Sequence, residues 1–348
     1  MYQVLFRTHS LEVVELIPLP DQAGVQMLWT NPKGFKAKPG EYVKIRFPWL
    51  QDGGNEWHPY SVYLRENTRT GLHSISESQH IHSGICLDPE HVVDDNKNKD
   101  AGDFWDEGSI SHLFNKVPVD DFAENSKLLM EARERVLDRY NTTQIFITPN
   151  GDWSNEVVSS VQNRKHLREC WVSGPYTSPF SVARQFSHLV LVATGIGITP
   201  SLGVLGAYPG VSRTKILLWS TRDKNHLRFF APQLHDVDLT LVFYTGEEKL
   251  SPDEILFLRA FGNIFIQQTR PESLSHIISS IIVRFDNQAH EENAVRRSKH
   301  GKNIEDVDTL YKSSWCVFYC GGSVTIRDDL SAFTHKHSLG WKYEMFDW

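Results

Sequence analysis

Long apolar runs are missing from this 348-residue chain: nowhere do about eighteen apolar residues follow one another, so no stretch reads as a bilayer-spanning helix. Cysteine is scarce as well. Cys86, Cys170, Cys316 and Cys320 are too few and too scattered for a disulfide framework or a Cys-x-x-Cys pair, and a reducing compartment is the expectation. Positive charge is also short, with 36 Lys and Arg against 43 Asp and Glu. A net charge of −7 disfavours a general nucleic-acid binder, whose affinity comes largely from neutralising phosphates. The first residues, Met1-Tyr-Gln-Val-Leu-Phe-Arg-Thr-His9, show no apolar core followed by small residues, so no signal peptide is expected and the location should be cytoplasmic. Paired metal-ligand spacings are lacking too. His80, His82 and Cys86 have no second ligand pair at zinc-like spacing after them, and no metal site is expected.

Against these absences, one stretch organises the rest. Leu189 to Ala193 is a continuous apolar run, as in a parallel strand covered on both faces. It leads into Thr194-Gly195-Ile196-Gly197-Ile198-Thr199-Pro200, where two glycines allow a tight turn and a close backbone approach to a ligand. Thr199 reads as a hydroxyl cap and Pro200 as the first helical residue. Such a helix start presents free N–H groups and the positive end of the dipole, and a dinucleotide pyrophosphate is its natural occupant. A bare tight turn is the alternative, because the spacing is not the Rossmann Gly-x-Gly-x-x-Gly.

Earlier in the chain, Leu11–Ile17, Val25–Trp29 and Tyr42–Phe47 alternate or cluster as short strands between the turns Asn31-Pro-Lys-Gly34 and Lys38-Pro-Gly40. Short strands at this spacing suggest a barrel. In Trp57-His58-Pro59-Tyr60-Ser61, alternation sets His58 and Tyr60 on one face and Pro59 and Ser61 on the other. Further on, Thr143–Thr148 reads as a strand, and Gly151-Asp152-Trp153-Ser154 opens a second helix whose start could receive an anion. Two such starts imply two phosphate-bearing ligands. Between them, the polar segment Asp94–Asp103 reads as surface loop and Ser126–Tyr140 as an amphipathic helix.

The second half alternates strands and helices as a parallel α/β sheet does. Strands are expected at Leu189–Ala193, Lys215–Trp219, Leu239–Tyr244, Ile264–Gln267 and Cys316–Cys320, with helices starting at Pro200, near Asn225 and near Glu272. Residues 286 to 309, charged and poor in apolar groups, read as a solvated insertion loop.

Taken in order, these motifs resemble the flavin and pyridine-nucleotide dehydrogenase module of the NADPH oxidase and ferric reductase family, within the ferredoxin–NADP reductase-like superfamily. Lys38-Pro-Gly-Glu-Tyr-Val43, Phe47-Pro-Trp49 and Trp57-His-Pro-Tyr-Ser61 are similar to its Pro-Gly-Gln-Tyr-Val and His-Pro-Phe-Thr segments. Gly151-Asp-Trp-Ser154, Gly174-Pro-Tyr176 and Gly195-Ile-Gly-Ile-Thr-Pro200 match further motifs, followed by Trp219-Ser-Thr-Arg-Asp223, Tyr244-Thr-Gly246, Arg270-Pro271 and Cys320-Gly-Gly322. The likeness runs through the chain except about residues 74–142 and 284–312.

The resemblance implies an antiparallel β-barrel FAD domain over residues 1–180, with an insertion at about 74–142. An α/β parallel-sheet NADPH domain follows over 181–348, with an insertion at about 284–312. It implies that His58, Pro59, Tyr60 and Ser61 line the flavin and that Gly151, Asp152, Trp153 and Ser154 hold its pyrophosphate. On the NADPH side it implies Gly174, Pro175, Thr194, Gly195, Gly197, Thr199, Pro200, Thr245, Gly246 and Gly321. Arg222 and Arg270 are candidates for the adenosine 2′-phosphate, since guanidinium forks match phosphate oxygens. Cys320 would stand beside the nicotinamide, and Trp348 would cover the flavin ring, with Phe346 as the competing aromatic. The implied activity is hydride transfer from NADPH to FAD and single-electron delivery to haem, oxygen or ferric iron.

Three departures from the family pattern matter. Tyr60 and Ser61 stand where Phe and Thr are commoner, Cys320 is followed by Gly-Gly instead of Gly-Pro, and the segment after Tyr63 lacks the family's Ser-Ser-Ala-Pro run. No haem-bearing membrane helices are present, so the chain is expected to be either the cytosolic portion of a longer membrane protein or a free reductase with another acceptor. A degenerate module serving as an assembly surface is the reading from a different class.

Overall fold

The computed structural model describes residues 7–51, 53–64, 142–161, 166–206, 214–235, 237–300 and 315–345, with the side chains of 64 and 288–300 excepted. The expected helix at Ser126–Tyr140, the loop at Asp94–Asp103, most of the 74–142 insertion, and Phe346 and Trp348 lie outside these residues. The described residues fall in two compact units. One draws on Met1–Asn67, Leu128–Arg270 and Ser314–Trp348; the other holds Pro271–His300.

The first unit begins with an antiparallel sheet of seven strands, β1 (Thr8–Pro18), β2 (Val25–Thr30), β3 (Tyr42–Arg46), β4 (His58–Ser61), β5 (Tyr63–Leu64), β6 (Thr142–Ile147) and β7 (His166–Tyr176). Their order is β4-β3-β7-β1-β2-β6-β5. β4 and β5 stand at opposite ends of that order, yet only Val62 separates them in the chain. The sheet must therefore curl until its two edges meet, which makes it a nearly closed barrel and removes its open edges. Inward-facing Val14, Leu16, Met27, Val43, Ile45, Ile145 and Val172 fill it, spaced two apart within their strands as a pleated wall requires. Helix α1 (Asp152–Val161) lays Trp153, Val157, Val158 and Val161 onto this core.

The six remaining strands form a wholly parallel sheet: β8 (His188–Thr194), β9 (Thr214–Thr221), β10 (Leu239–Tyr244), β11 (Ile264–Gln267), β12 (Trp315–Gly321) and β13 (Gly340–Met345). Their order is β11-β10-β9-β8-β12-β13. All six residues of β10 and all seven of β12 are buried, as expected of strands covered on both faces. Helices α2 (Ile198–Leu205), α3 (Lys224–Phe230), α4 (Pro252–Arg259) and α6 (Val324–Lys336) lie in the connections. The architecture is thus an antiparallel barrel followed by a parallel α/β sheet.

Both sheets belong to one compact unit and are fastened at several points. In the link between β7 and β8, Ser178 Oγ donates to the Gly40 carbonyl at 2.5 Å and Ser181 Oγ to the same oxygen at 3.2 Å. Gly203 of α2 lies so near β5 that a Cβ there would stand 2.7 Å from the Val62 carbonyl oxygen. Phe146 of β6 meets Phe229 and Phe230 of α3 edge to face, at 5.5 and 4.9 Å between centroids.

In the second unit, α5 runs from Leu274 to His300. The expectation of a solvated loop from residue 286 fails for 286–300, which are helical. Leu274, Ile277, Ile278 and Ile281 form a buried stripe at helical spacing, and neither glycine nor proline interrupts the chain before Gly301. A helix already nucleated by that stripe propagates through Glu, Ala, Arg and Lys, which are good helix formers despite their charge.

Candidate functional site

The first cluster forms where β4 passes the start of α1. The rings of His58 and Trp153 stack at 4.1 Å and 28°, Phe47 stacks on Trp153 at 5.4 Å, and Tyr60 approaches it at 6.2 Å. His58 and Tyr60 do share a face, as alternation requires, and Pro59 is exposed on the other. His58 Nε2 lies 3.1 Å from Glu56 Oε2. Burial pushes the Tyr60 phenol well up, so that hydroxyl stays protonated. Trp153 is buried, and its indole N–H is without a hydrogen-bond partner among the described residues.

At the start of α1, Ser154 Oγ accepts from the amides of Asn150 and Gly151 at 2.9 and 3.0 Å and donates to the Gly151 carbonyl. Ser154 therefore lies inside the first turn and folds back over its amides. The direction in which a Gly151 side chain would point is open, with no atom within 4 Å.

The second cluster lies at the carboxyl ends of β8 and β12. β9, β10 and β11 spread to one side of β8, whereas β12 and β13 lie on the other. The β8–β12 border is thus the topological switch point, where open α/β sheets bind ligands. Gly195 holds φ +54° and faces open space, a backbone conformation that glycine adopts without steric cost. Its carbonyl accepts from Trp219 Nε1 at 2.9 Å, which fixes the turn to β9. A Cβ on Gly197 would strike the Cys320 carbonyl, and one on Gly321 would strike Thr194 Oγ1. These two glycines let the β8 and β12 loops touch.

The helix start differs from the expected one. Gly195–Gly197 form a 3-10 turn, Gly197 is the cap, and α2 begins at Ile198 without a side-chain capping bond. Thr199 is buried as the second helical residue and Pro200 follows as the third. Proline lacks only an amide that the first turn leaves unbonded in any case, so it fits there equally well.

Cys320, next to last in β12, is fully buried, and burial raises its thiol well above the ordinary value, with Glu344 adding to the shift. Glu344 is the residue that sequence reading missed. It pairs with Cys320 across β12–β13, its carboxyl is raised by burial, and its Oε2 has no hydrogen-bond partner among the described residues. It also raises the Tyr42 phenol of the barrel, behind burial and Tyr176. Period-two alternation in Gly340–Met345 was the available signal, masked by how little of that edge strand is fully buried.

A third cluster follows β9, β10 and β11. Arg222 comes just after β9, Thr245 and Gly246 after β10, and Arg270 after β11. The Thr245 amide donates to the Thr221 carbonyl at 2.9 Å, and a Cβ on Gly246 would lie 2.6 Å from the Arg222 carbonyl oxygen. Arg222 and Arg270 are exposed and make no ion pair among the described residues. Their neighbours do: Lys224 pairs with Glu248 at 2.7 Å and Arg228 with Glu254. Gly174 and Pro175 lie at the end of β7, where the Gly174 amide donates to the Arg7 carbonyl at 3.0 Å and the peptide bond between them is cis.

No family model matches the chain. NADPH oxidase 4 from Homo sapiens and from Pongo abelii are each 26% identical over 118 residues, covering 32% of this chain. The chain's match spans 19% of the length of those relatives. Among solved structures, a ferredoxin NADP+ reductase from Neisseria gonorrhoeae with bound FAD and NADP aligns at TM-score 0.44 and 11% identity, over 95% of this chain and 91% of that one. The flavohem-like FAD/NAD binding domain of nitric oxide dioxygenase from Vibrio cholerae gives TM-score 0.44 and 11% identity, over 97% and 99%. The barrel, the parallel sheet and their order in the chain are established by the strand pairings themselves. In its ordered motifs and in its matched segment, the chain resembles the dehydrogenase module of the NADPH oxidases.

Proposed function

We propose that this chain is a flavoprotein oxidoreductase with FAD on the barrel, residues 1–180, and NADPH on the α/β part, residues 181–348. The observation that carries the reading is the open approach to Gly195 at the switch point, on the same parallel sheet whose β9 and β11 lead into two exposed arginines that make no ion pair among the described residues. The NADPH oxidase relatives support it.

The residues fit both groups. On the barrel, the unpartnered Trp153 indole N–H and the open side of Gly151 suit a bound nucleotide with a planar ring and phosphates. At the switch point, Gly195 lets backbone approach a pyrophosphate, while Arg222 and Arg270 suit the 2′-phosphate. When bound, FAD would accept hydride from NADPH and release electrons singly. The chain's own residues supply position and water exclusion. Ser61 offers a hydroxyl at the β4 edge, and Cys320, its thiol held protonated by burial, shapes the wall for the nicotinamide without acting as a nucleophile. Glu344 can hold a proton beside it. Trp348, outside the described residues, is assigned to cover the flavin ring.

The finer proposal is that the chain is the cytosolic dehydrogenase module of a transmembrane NADPH oxidase or ferric reductase, with a membrane haem domain as its electron acceptor. Reduction under argon tests the enzyme and reoxidation tests the acceptor. Protein loaded with FAD should lose its flavin absorbance with NADPH, then regain it with a haem protein or ferric chelate faster than with buffer. Protein that stays colourless after FAD is added would overturn the reading and favour an assembly surface.

A further inference from the structure

The ends of β9 and β10 hold a second pair of charges beside Arg222. Lys224 opens α3 two residues beyond Arg222, and its Nζ donates to Glu248 Oε2 at 2.7 Å. Glu248 stands two residues beyond Gly246, whose backbone is pressed against the Arg222 carbonyl. The ammonium and the carboxylate thus come from the same two loops that present Arg222 and Thr245.

The two nearby ion pairs differ in how firmly the acid is held. Glu254 accepts from the Ser251 amide at 2.8 Å in the capping box of α4 as well as from Arg228, so it is anchored whatever Arg228 does. Glu248 is 78% exposed and Lys224 is its hydrogen-bond partner, while the Lys224 side chain is 29% exposed. An exposed pair of this kind is close to energetically neutral. A lysine ammonium is a compact charge on a flexible stem, free to exchange one oxyanion for another.

We propose that Glu248 competes internally with the 2′-phosphate of NADPH for Lys224, and so limits how strongly the chain prefers NADPH over NADH. A phosphomonoester arriving beside Arg222 would draw the Lys224 ammonium from Glu248, and the freed carboxylate would repel the phosphate across the same loop. The 2′-phosphate subsite belongs to the proposed function, on which this inference rests. The competing carboxylate is read from this chain's own Lys224–Glu248 pair.

Calorimetric titration of the full chain loaded with FAD tests it, with 2′,5′-ADP and 5′-AMP as probes. Glu248→Gln should tighten 2′,5′-ADP about two- to fivefold and leave 5′-AMP unchanged. Lys224→Gln should weaken 2′,5′-ADP because it removes the cation and frees Glu248, and the double variant should regain only the part of that loss due to repulsion by Glu248. The gain in Glu248→Gln should shrink as salt is raised, because both groups are solvent-accessible. Unchanged 2′,5′-ADP affinity in Glu248→Gln, or an equal gain for 5′-AMP, overturns the inference while leaving the NADPH reading intact. A wild-type chain that binds neither probe, or both alike, overturns the NADPH reading and this inference with it.

Discussion

Glu344 stands directly across the parallel β12–β13 ladder from Cys320, which places a carboxyl and a thiol on one wall of the switch point. Burial raises Glu344 from its ordinary value of 4.5, so the folded chain holds that proton more tightly than the unfolded chain does. Stability due to the protonated carboxyl is complete below about pH 4.5 and is lost as pH rises through the raised folded value. Any ionisation of Glu344, whose buried Oε2 has no hydrogen-bond partner among the described residues, is therefore a liability as pH rises. Glu344→Gln should raise Tm at pH 7 by about 2 °C, the shift that roughly 1 kcal/mol produces in a chain of more than 150 residues. The difference should close near about pH 4. Melting curves for both proteins across that range check this, and coincident curves throughout would show that the carboxylate is compensated in the fold.

Trp153 is the ring on which His58, Phe47 and Tyr60 converge. Trp153→Ala should cost about 3–5 kcal/mol, the usual penalty for emptying a buried aromatic site, read as a lower urea midpoint with an unchanged slope. Trp153→Phe keeps most of the packing and removes the indole N–H. It should fold nearly as well as wild type yet retain less FAD through gel filtration. Equal FAD retention would mean that the unpartnered indole nitrogen has no part in flavin binding.

Gly195 and Gly197 separate ligand approach from fold stability. A methyl on Gly197 meets the Cys320 backbone, which cannot swing aside, whereas a methyl on Gly195 enters open space and encounters only an unfavourable φ. Gly197→Ala should destabilise by about 1–3 kcal/mol through overpacking. Gly195→Ala should cost about 1–2 kcal/mol from its left-handed backbone, and it should also weaken 2′,5′-ADP binding beyond what its melting curve explains. If Gly195→Ala bound the nucleotide normally, the phosphates would lie elsewhere.

Where sequence and fold agree, the reason is chemical punctuation. β8, β10 and β12 are largely apolar runs bounded by turn residues, and the barrel strands up to Ser61 are short apolar segments, β3 and β4 alternating, between turn residues. β7, as long as β1, is hard to read from sequence because its first part, His166-Leu-Arg-Glu169, alternates weakly and exposes Leu167. Helix α4 was overlooked despite the Ser251-Pro-Asp-Glu254 capping box, a start signal plainly present in the chain. Thr199 reads as the cap because a hydroxyl before proline suits that position, whereas the fold makes Gly197 the cap, and nothing local indicates that the preceding glycines have already turned. The pairing of Glu344 with Cys320 depends on the register of two strands about 20 residues apart, which only the assembled sheet specifies. Arg222 and Arg270 are legible as cations, but that neither is ion-paired among the described residues is not, because that depends on which acids the fold places near them.

The absence of an ion pair to either arginine among the described residues yields the most direct test of the donor. Lys224 and Arg228 are each matched to a glutamate, while Arg222 and Arg270, at the ends of β9 and β11, are not. A hydrogen bond from an ionised donor contributes about 1.5–3 kcal/mol, so losing one arginine–phosphate contact should reduce the NADPH preference about tenfold or more. Arg222→Gln and Arg270→Gln should each raise KM for NADPH while leaving KM for NADH and the melting temperature near wild type. Steady-state rates with both donors measure this directly. A variant that weakens both donors equally would locate its arginine on the shared part of the nucleotide, and one that weakens neither would return it to the role of an exposed surface charge.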